Sequence, residues 1–403
     1  MSARHSLFSP EHANVGLFCD VFPPVMDGVS VCMQNYARWM QEKAGGVCVI
    51  TPHVPGADYS NLGYEVFDYF SIPVPGRHPY VTGLAEVDPT FLARIATTRF
   101  KILHAHCPFA SGGAAMRIAR LQKIPVVATF HSKYRDDFAR VLPKLAVDVI
   151  IDAIVEFYER ADLVWVPQES VVEVLREYGF KGHVEVMDNG SDLVADYPGK
   201  YFVEARRRLG IAPEEFVMLF VGQHIWEKNP RLIIEALARI PDVPFRMYFV
   251  GTGYAAEEMR ELVSERGLDG KVNFVGSITD REKITDYYAA SDLFLFPSLY
   301  DNAPLVVREA AALHTPSVMA EGSTASTILR DGENGFLVEN DPDKMAQLLR
   351  ELVHDPERVR RAGLQASKTL VRSWEDCVEE VLDRYDSLLR SRGLPLIGRT
   401  GAA

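Results

Sequence analysis

Phe296-Pro-Ser-Leu-Tyr-Asp-Asn-Ala-Pro-Leu-Val-Val-Arg-Glu-Ala-Ala-Ala-Leu-His-Thr-Pro316 is the stretch that decides the fold. It closes an apolar run, Asp292-Leu-Phe-Leu-Phe-Pro297, short and bulky enough for a buried strand. Pro297 and Ser298 end the strand, and the loop Leu299-Tyr-Asp-Asn-Ala303 follows. Pro304 can open a helix, because its missing N–H would be unpaired in a first turn anyway. A strand, a short polar loop and a helix N-terminus together aim free backbone N–H groups above the strand end, which suits an anion. Two acids frame that place. Asp301 lies in the loop and Glu309 inside the helix, separated by roughly 10–12 Å if the intervening residues are helical. That is the order of the span from a nucleotide's ribose to the hexose on its diphosphate, so one carboxylate can accept from ribose hydroxyls and the other from sugar hydroxyls.

Outward from this stretch, the chain alternates strand and helix twice. Val15-Gly-Leu-Phe-Cys19 is a first strand, and a helix is expected from about Val31 to Lys43. Between them lies Gly28, where the absence of Cβ lets a ligand approach the backbone. Gly46–Thr51, Lys101–His106, Ile124–His131, Asp162–Val166 and Val184–Met187 read as further strands. Pro73, Pro75 and Pro79 suggest a surface excursion. A helix pair is expected from Asp136 to Arg160. Asn189 to Lys200 is polar and rich in turn residues, the best hinge. A second alternation begins with Phe216-Val-Met-Leu-Phe-Val221 and runs through Phe245–Val250, Val272–Val275, the central stretch, Ser317–Met319 and Gly332–Val338. The expectation is α/β: two domains with parallel sheets, covering 1–190 and 196–371, the helix at 374–391 packing back on the first. Such pairs bind ligands in the cleft between them, at strand C-terminal ends.

Composition narrows the partners. The chain has 403 residues, too many for one core. A net charge of −12 and the lack of any basic block argue against nucleic acid. The cysteines Cys19, Cys32, Cys48, Cys107 and Cys377 are scattered without a C-x-x-C pair, as expected of reduced core residues in a cytosolic protein. There is no secretion signal and no apolar run of membrane-spanning length. His104 and His106 have metal-ligand types but no third ligand nearby in sequence, so no metal and no cofactor are expected.

The whole pattern resembles the retaining, nucleotide-sugar-dependent glycosyltransferases of the GT-B fold, family 4. There an acid–seven residues–acid motif closes the donor site. Here it reads Asp301 to Glu309, with aspartate in place of the usual first glutamate. Ser291–Ser298, Glu309-Ala-Ala, Thr315-Pro316 and Asp331-Gly-Glu-Asn-Gly-Phe-Leu-Val338 also match. The resemblance implies a fold of two Rossmann-like domains facing a deep interdomain cleft. Glu309 should take the ribose, and Asp301 with Asn302, Ala303, Pro304, Leu305 and Val306 the donor hexose. Gly222-Gln-His-Ile-Trp-Glu-Lys228 matches the diphosphate-binding loop. Lys228 keeps the cationic position that would offset the leaving diphosphate, while Gln223 stands where the family usually has arginine. Asp27-Gly28-Val29 looks like the loop that approaches the donor phosphate and the acceptor. His131 matches a histidine near the reacting carbon, and His106 ends the preceding strand as an acceptor-side candidate. His131, Lys228 and Asp301 are thus the catalytic candidates.

The implied reaction moves a hexose, glucose from UDP-glucose in the first instance, to an acceptor hydroxyl with retention. His104–Phe109, Ala128–Tyr134 and Glu321–Ser326 look most like bacterial diacylglycerol glucosyltransferases, which suggests a lipid acceptor. Helical stretches Ala114–Lys123 and Lys133–Lys144 carry Arg117, Arg120, Lys123, Lys133, Arg135, Arg140 and Lys144 with Leu121, Phe138, Val141 and Leu142 interleaved, compatible with peripheral contact on an anionic membrane. A solvated helix face explains the same residues equally well. The expected location is cytoplasmic, at the inner face of the cell membrane if the acceptor is lipid. A soluble small-molecule or glycan acceptor, a nucleotide-sugar epimerase and a non-catalytic nucleotide-sugar binder are the alternatives.

Overall fold

The computed structural model describes residues 13–74, 80–193 and 198–400. Pro75, Pro79 and part of the expected hinge, 194–197, lie outside the described residues. The chain divides into two compact units, Met1–Asn189 with Trp374–Ala403, and Gly190–Ser373. It therefore passes between them twice, after Asn189 and after Ser373.

The first unit is built on a parallel sheet of seven strands. These are β1 (Val15–Phe18), β2 (Val47–Pro52), β3 (Glu65–Tyr69), β6 (Ile102–Ala105), β7 (Val126–Thr129), β8 (Leu163–Val166) and β9 (Glu185–Val186), in the spatial order β3-β2-β1-β6-β7-β8-β9. An antiparallel hairpin, β4 (Ser71–Pro73) with β5 (Val81–Gly83), branches off after β3. The second unit carries six parallel strands: β10 (Val217–Val221), β11 (Arg246–Val250), β12 (Val272–Gly276), β13 (Leu293–Leu295), β14 (Ser317–Ala320) and β15 (Phe336–Val338). Their order is β12-β11-β10-β13-β14-β15. Central strands are buried along their length, β1, β6 and β7 in one unit and β13 and β14 in the other. Hence they read as continuous apolar runs rather than alternating ones.

Both sheets reverse direction of growth beside their first strand, between β1 and β6 and between β10 and β13. Diverging connections leave a crevice at the C-terminal ends of such a strand pair. Two apolar clusters fill the units, one around Phe18, Phe67 and Phe130, the other around Phe220, Phe249 and Phe294.

Helix Trp374–Ser391 belongs to the first unit. Tyr385 stacks on Trp165 with ring centroids 5.6 Å apart, and Lys43 pairs with Glu375 and Glu379. Three local expectations change. The first helix runs Gly28–Lys43, beginning at Gly28 because Asp27 caps it, accepting from Ser30 N at 2.8 Å. The helix after β13 is Leu305–Ala312, with Pro304 at the N-cap instead of inside the first turn. Residues 133–144 are not one helix: Tyr134–Ala139 stops, and Pro143 caps a new helix, Lys144–Glu159.

Candidate functional site

The expected donor residues of the second unit come from the two strands at its reversal point. Gly222, Gln223 and Lys228 follow β10, Asp301 and Asn302 follow β13, and Glu309 lies on the helix that β13 feeds. The loop after β10 is held by the turn after β11. His224 N donates to Thr252 O at 2.9 Å, and Gly222 N to Val250 O at 3.0 Å. This approach needs glycine opposite. A Cβ on Gly251, at φ +135°, would stand 1.9 Å from Gly222 O, and one on Gly253 2.3 Å from His224 O.

Lys228 and Asp301 are bonded to one another. Lys228 Nζ donates to Asp301 Oδ1 at 2.6 Å and Oδ2 at 2.8 Å, and Ser298 Oγ donates to Oδ2 at 2.6 Å. Two residues that the resemblance assigns to different parts of a donor, diphosphate and hexose, are thus bonded to one another. Glu309 is 8% exposed and likewise engaged, accepting from Arg281 at 3.0 Å and from the Tyr288 hydroxyl at 2.9 Å. Beside its carboxylate, burial and the negative charge hold the Tyr288 phenol well above its usual range. Ahead of Glu309, the first-turn N–H groups of Leu305 and Val306 have no acceptor within their own helix. Gln223 is exposed in the loop after β10.

Arg281 and Tyr288 escaped the sequence reading. Both sit on helix Arg281–Ala290, which precedes β13. No local signal marks them, since their partner is 28 and 21 residues away. His224, too, was missed as more than a loop residue. It is buried among Phe220, Phe249 and Phe274, burial lowers its imidazole to about 4, and neither ring nitrogen has a hydrogen-bond partner among the described residues.

Other motif residues prove structural. Asp292 Oδ2 accepts from Arg206 at 2.6 Å and from Val217 N at 2.8 Å, fastening helix Pro198–Leu209 to the sheet. Asp331 Oδ1 takes Leu337 N at 2.9 Å, and Asn334 Oδ1 takes Arg330 N at 2.7 Å, shaping the turn before β15.

The first unit gathers its candidates at the ends of β1, β6 and β7. Asp27 and Gly28 follow β1, His106 follows β6 and His131 follows β7. A Cβ at Gly28 would meet nothing within 4 Å, so the chain itself does not demand glycine there. His104 is a structural residue. Its Nδ1 meets the Tyr385 hydroxyl at 2.5 Å and its Nε2 the Thr129 hydroxyl at 2.7 Å, which satisfies both nitrogens. His106 Nδ1 lies 3.0 Å from His131 Nε2, and the two rings are nearly parallel. Burial keeps all three imidazoles neutral, His104 and His106 far below their ordinary value and His131 down at about 4. Nearby, burial lifts Asp20 to about 6 although Ser111 N and Oγ both donate to it at 3.0 Å. Contrary to the expectation from sequence, His106 does have further metal-ligand types beside it: Cys32 and His131. All five cysteines are free and buried, and Cys19 Sγ lies 3.7 Å from Cys107 Sγ.

Among the described residues no helix is long and apolar enough to cross a membrane.

Comparison with known proteins bears on both units. Residues 26–194 match the family described as Glycosyltransferase Family 4, and residues 202–369 match Glycosyl transferases group 1. Sulfoquinovosyl transferase SQD2 of Arabidopsis thaliana is 27% identical over 85% of this chain and 67% of its own. The alpha-monoglucosyldiacylglycerol synthase of Acholeplasma laidlawii is 22% identical over 84% and 87%. A D-inositol 3-phosphate glycosyltransferase of Nocardiopsis dassonvillei is 27% identical over 92% and 91%. In fold, the chain is similar to Anabaena Alr3699/HepE in complex with UDP-glucose, with a TM-score of 0.75 at 17% identity over 93% of this chain and all of that one. It matches the sucrose-phosphate synthase of Thermosynechococcus elongatus equally, at 0.75 and 20% identity over 94% and 100%. With two parallel-sheet units, donor-type residues at a sheet reversal and family matches across both, the chain belongs to the family-4-type glycosyltransferases of the GT-B fold, enzymes that depend on a nucleotide sugar.

Proposed function

We propose that the protein transfers a hexose from a UDP-sugar to a hydroxyl of a small-molecule or glycan acceptor, with retention at the anomeric carbon. The observation that carries this reading is the placement of Lys228, Asp301 and Glu309 around the β10–β13 reversal, beside the N-terminus of helix Leu305–Ala312. On donor binding, Lys228 exchanges Asp301 for the diphosphate, and Asp301 turns to the hexose hydroxyls. Glu309 accepts from the ribose hydroxyls. As the bond from the anomeric carbon to the diphosphate oxygen breaks, negative charge grows on that oxygen beside the ammonium. The acceptor oxygen bonds to the same face of the anomeric carbon, and its proton passes to the departing diphosphate. His131, neutral, serves as a hydrogen-bonding group for the hexose or acceptor rather than as a cation. The inositol-phosphate relative, similar over nine-tenths of the chain, favours a soluble acceptor.

A second acceptor, diacylglycerol-type lipid, is favoured by one surface. A cavity of about 830 Å³ lies between helices Ala110–Gln122 and Lys144–Glu159, lined by Met116, Ile124 and Phe157 with Arg117, Arg120 and Lys123, while two further arginines in the lining, Arg160 and Arg392, are paired with Glu156 and Asp162. Leu121, Leu145 and Val149 are exposed on the same two helices. Apolar side chains among cations suit an anionic lipid surface.

The test is transfer of labelled hexose from UDP-glucose, with inositol phosphates, sugars and diacylglycerol vesicles offered separately. Label in a water-soluble product supports the main reading, and label in an organic-extractable product supports the second. Tight UDP-glucose binding with no transfer to any acceptor would instead indicate a binder.

A further inference from the structure

His106 is an incomplete neighbour of a complete one. His104, on the strand just before it, has both ring nitrogens bonded. The His106 ring lies 3.9 Å from that of His104, centroid to centroid, yet its Nε2 is fully buried without a hydrogen-bond partner among the described residues. Leaving such a nitrogen unpaired is destabilising, because the lost contact with water is not replaced. Cys32 comes to the same place from helix Gly28–Lys43 and His131 from the end of β7. One ligand-type atom on each of Cys32, His106 and His131 lies within 4.8 Å of the other two. Cys32 is otherwise held only loosely, its thiol 3.7 Å from Asn189 Oδ1.

We propose that Cys32, His106 and His131 form a binding site for a single zinc-class cation, with the fourth position left open. One thiolate and two imidazoles are a donor set that zinc favours. Bonds of about 2.3 Å to sulfur and 2.0–2.1 Å to nitrogen put tetrahedral ligand atoms roughly 3.3–3.6 Å apart. Closing from within 4.8 Å to that spacing takes side-chain adjustments of about an ångström. Binding forms the zinc–sulfur bond as the Cys32 proton leaves to solvent. Cys32 and His106 are buried, whereas His131 is partly exposed and gives the ion its way in. Occupancy removes His131 from substrate, so zinc should inhibit transfer. That consequence rests on the function proposed above, but the site itself does not.

Metal-free full-length protein is titrated with Co²⁺, reading the sulfur-to-cobalt charge-transfer band and the tetrahedral ligand-field bands. One equivalent is expected, displaced by Zn²⁺. The Cys32→Ser variant loses the charge-transfer band, while Cys48→Ser keeps it. No band in the wild-type protein, or a band that survives in Cys32→Ser, overturns the site. X-ray absorption of the zinc-loaded wild type needs no variant: one sulfur with two or three nitrogen or oxygen neighbours supports the site, and an all-oxygen or sulfur-rich shell overturns it. In the transfer assay, equimolar zinc is expected to inhibit wild type and spare Cys32→Ser. Spectroscopic binding without inhibition would keep the site and remove His131 from the reaction.

Discussion

The two units hold their candidate residues in opposite ways. In the second unit they are charged and paired with each other, Lys228 with Asp301 and Arg281 with Glu309. In the first the histidine candidates are neutral imidazoles with stacked rings, His106 buried and His131 partly exposed. The difference follows from desolvation. An ion taken out of water unpaired costs several kcal/mol, so charges with little exposure are kept coupled to a counter-charge. An imidazole can give up its proton and stay dry at little cost. The second unit's candidates are therefore held as ion pairs, and the first unit's histidines as neutral dipoles.

Removing the cation should break the comparison most visibly. Lys228→Ala is expected to lower turnover with UDP-glucose by about 10²–10³-fold, the scale of losing one group that faces developing charge. Donor affinity should change less. Normal turnover would move leaving-group stabilisation away from Lys228.

His104→Phe probes the dry side. It leaves the Tyr385 and Thr129 hydroxyls unpaired in the core, a loss of about 2–5 kcal/mol in urea unfolding. The KM for donor should stay the same. A stability unchanged from wild type would mean that the tie between sheet and C-terminal helix does not matter.

Acid should separate the units. Burial holds His131 and His224 at about 4, against an ordinary value of 6.5, and lowers His104 and His106 as well. Between those values the unfolded chain binds protons that the folded chain does not, so stability rises with pH through that window and is complete above it. Asp20, raised to about 6, and Asp292, also raised by burial, work in the opposite sense, one in each unit. The expected outcome is a stability that falls as pH drops from 6.5 towards 4. Amide protection should be lost first in the first unit, which holds three of these four histidines. Equal loss in both units would contradict the contrast.

The smallest effect is expected at Arg281. Its side chain is 53% exposed, and an exposed pair is worth about 1 kcal/mol or less. Arg281→Ala should shift UDP-glucose affinity by no more than about fivefold. A larger loss would make Arg281 a donor contact instead of a placeholder on Glu309.

Much of this was legible in the chain because it is local. The strand–loop–helix at 292–313, the Gly222 loop after β10 and the acid spacing are all short-range patterns that survive folding. Parallel strands buried on both faces show as apolar runs, so the two sheets were readable as well. Helix starts were less so: Asp27 and Pro304 each occupy a cap, and cap against first turn differs by one residue's backbone angles. What stayed hidden needs distant partners. Arg281 and Tyr288 reach Glu309 from another helix, and His104 and His106 look alike in sequence although only one is fully bonded. Cys32 meets His106 and His131 from helix Gly28–Lys43, far from both in sequence.

The most direct measurement is calorimetric titration of UDP-glucose into wild type and Glu309→Ala, with circular dichroism to check that the variant is folded. Glu309 as the ribose acceptor is expected to cost about 10- to 100-fold in affinity when removed, the scale of a charged hydrogen bond. Equal affinity in a folded variant would contradict the placement of the donor on the β10–β13 reversal.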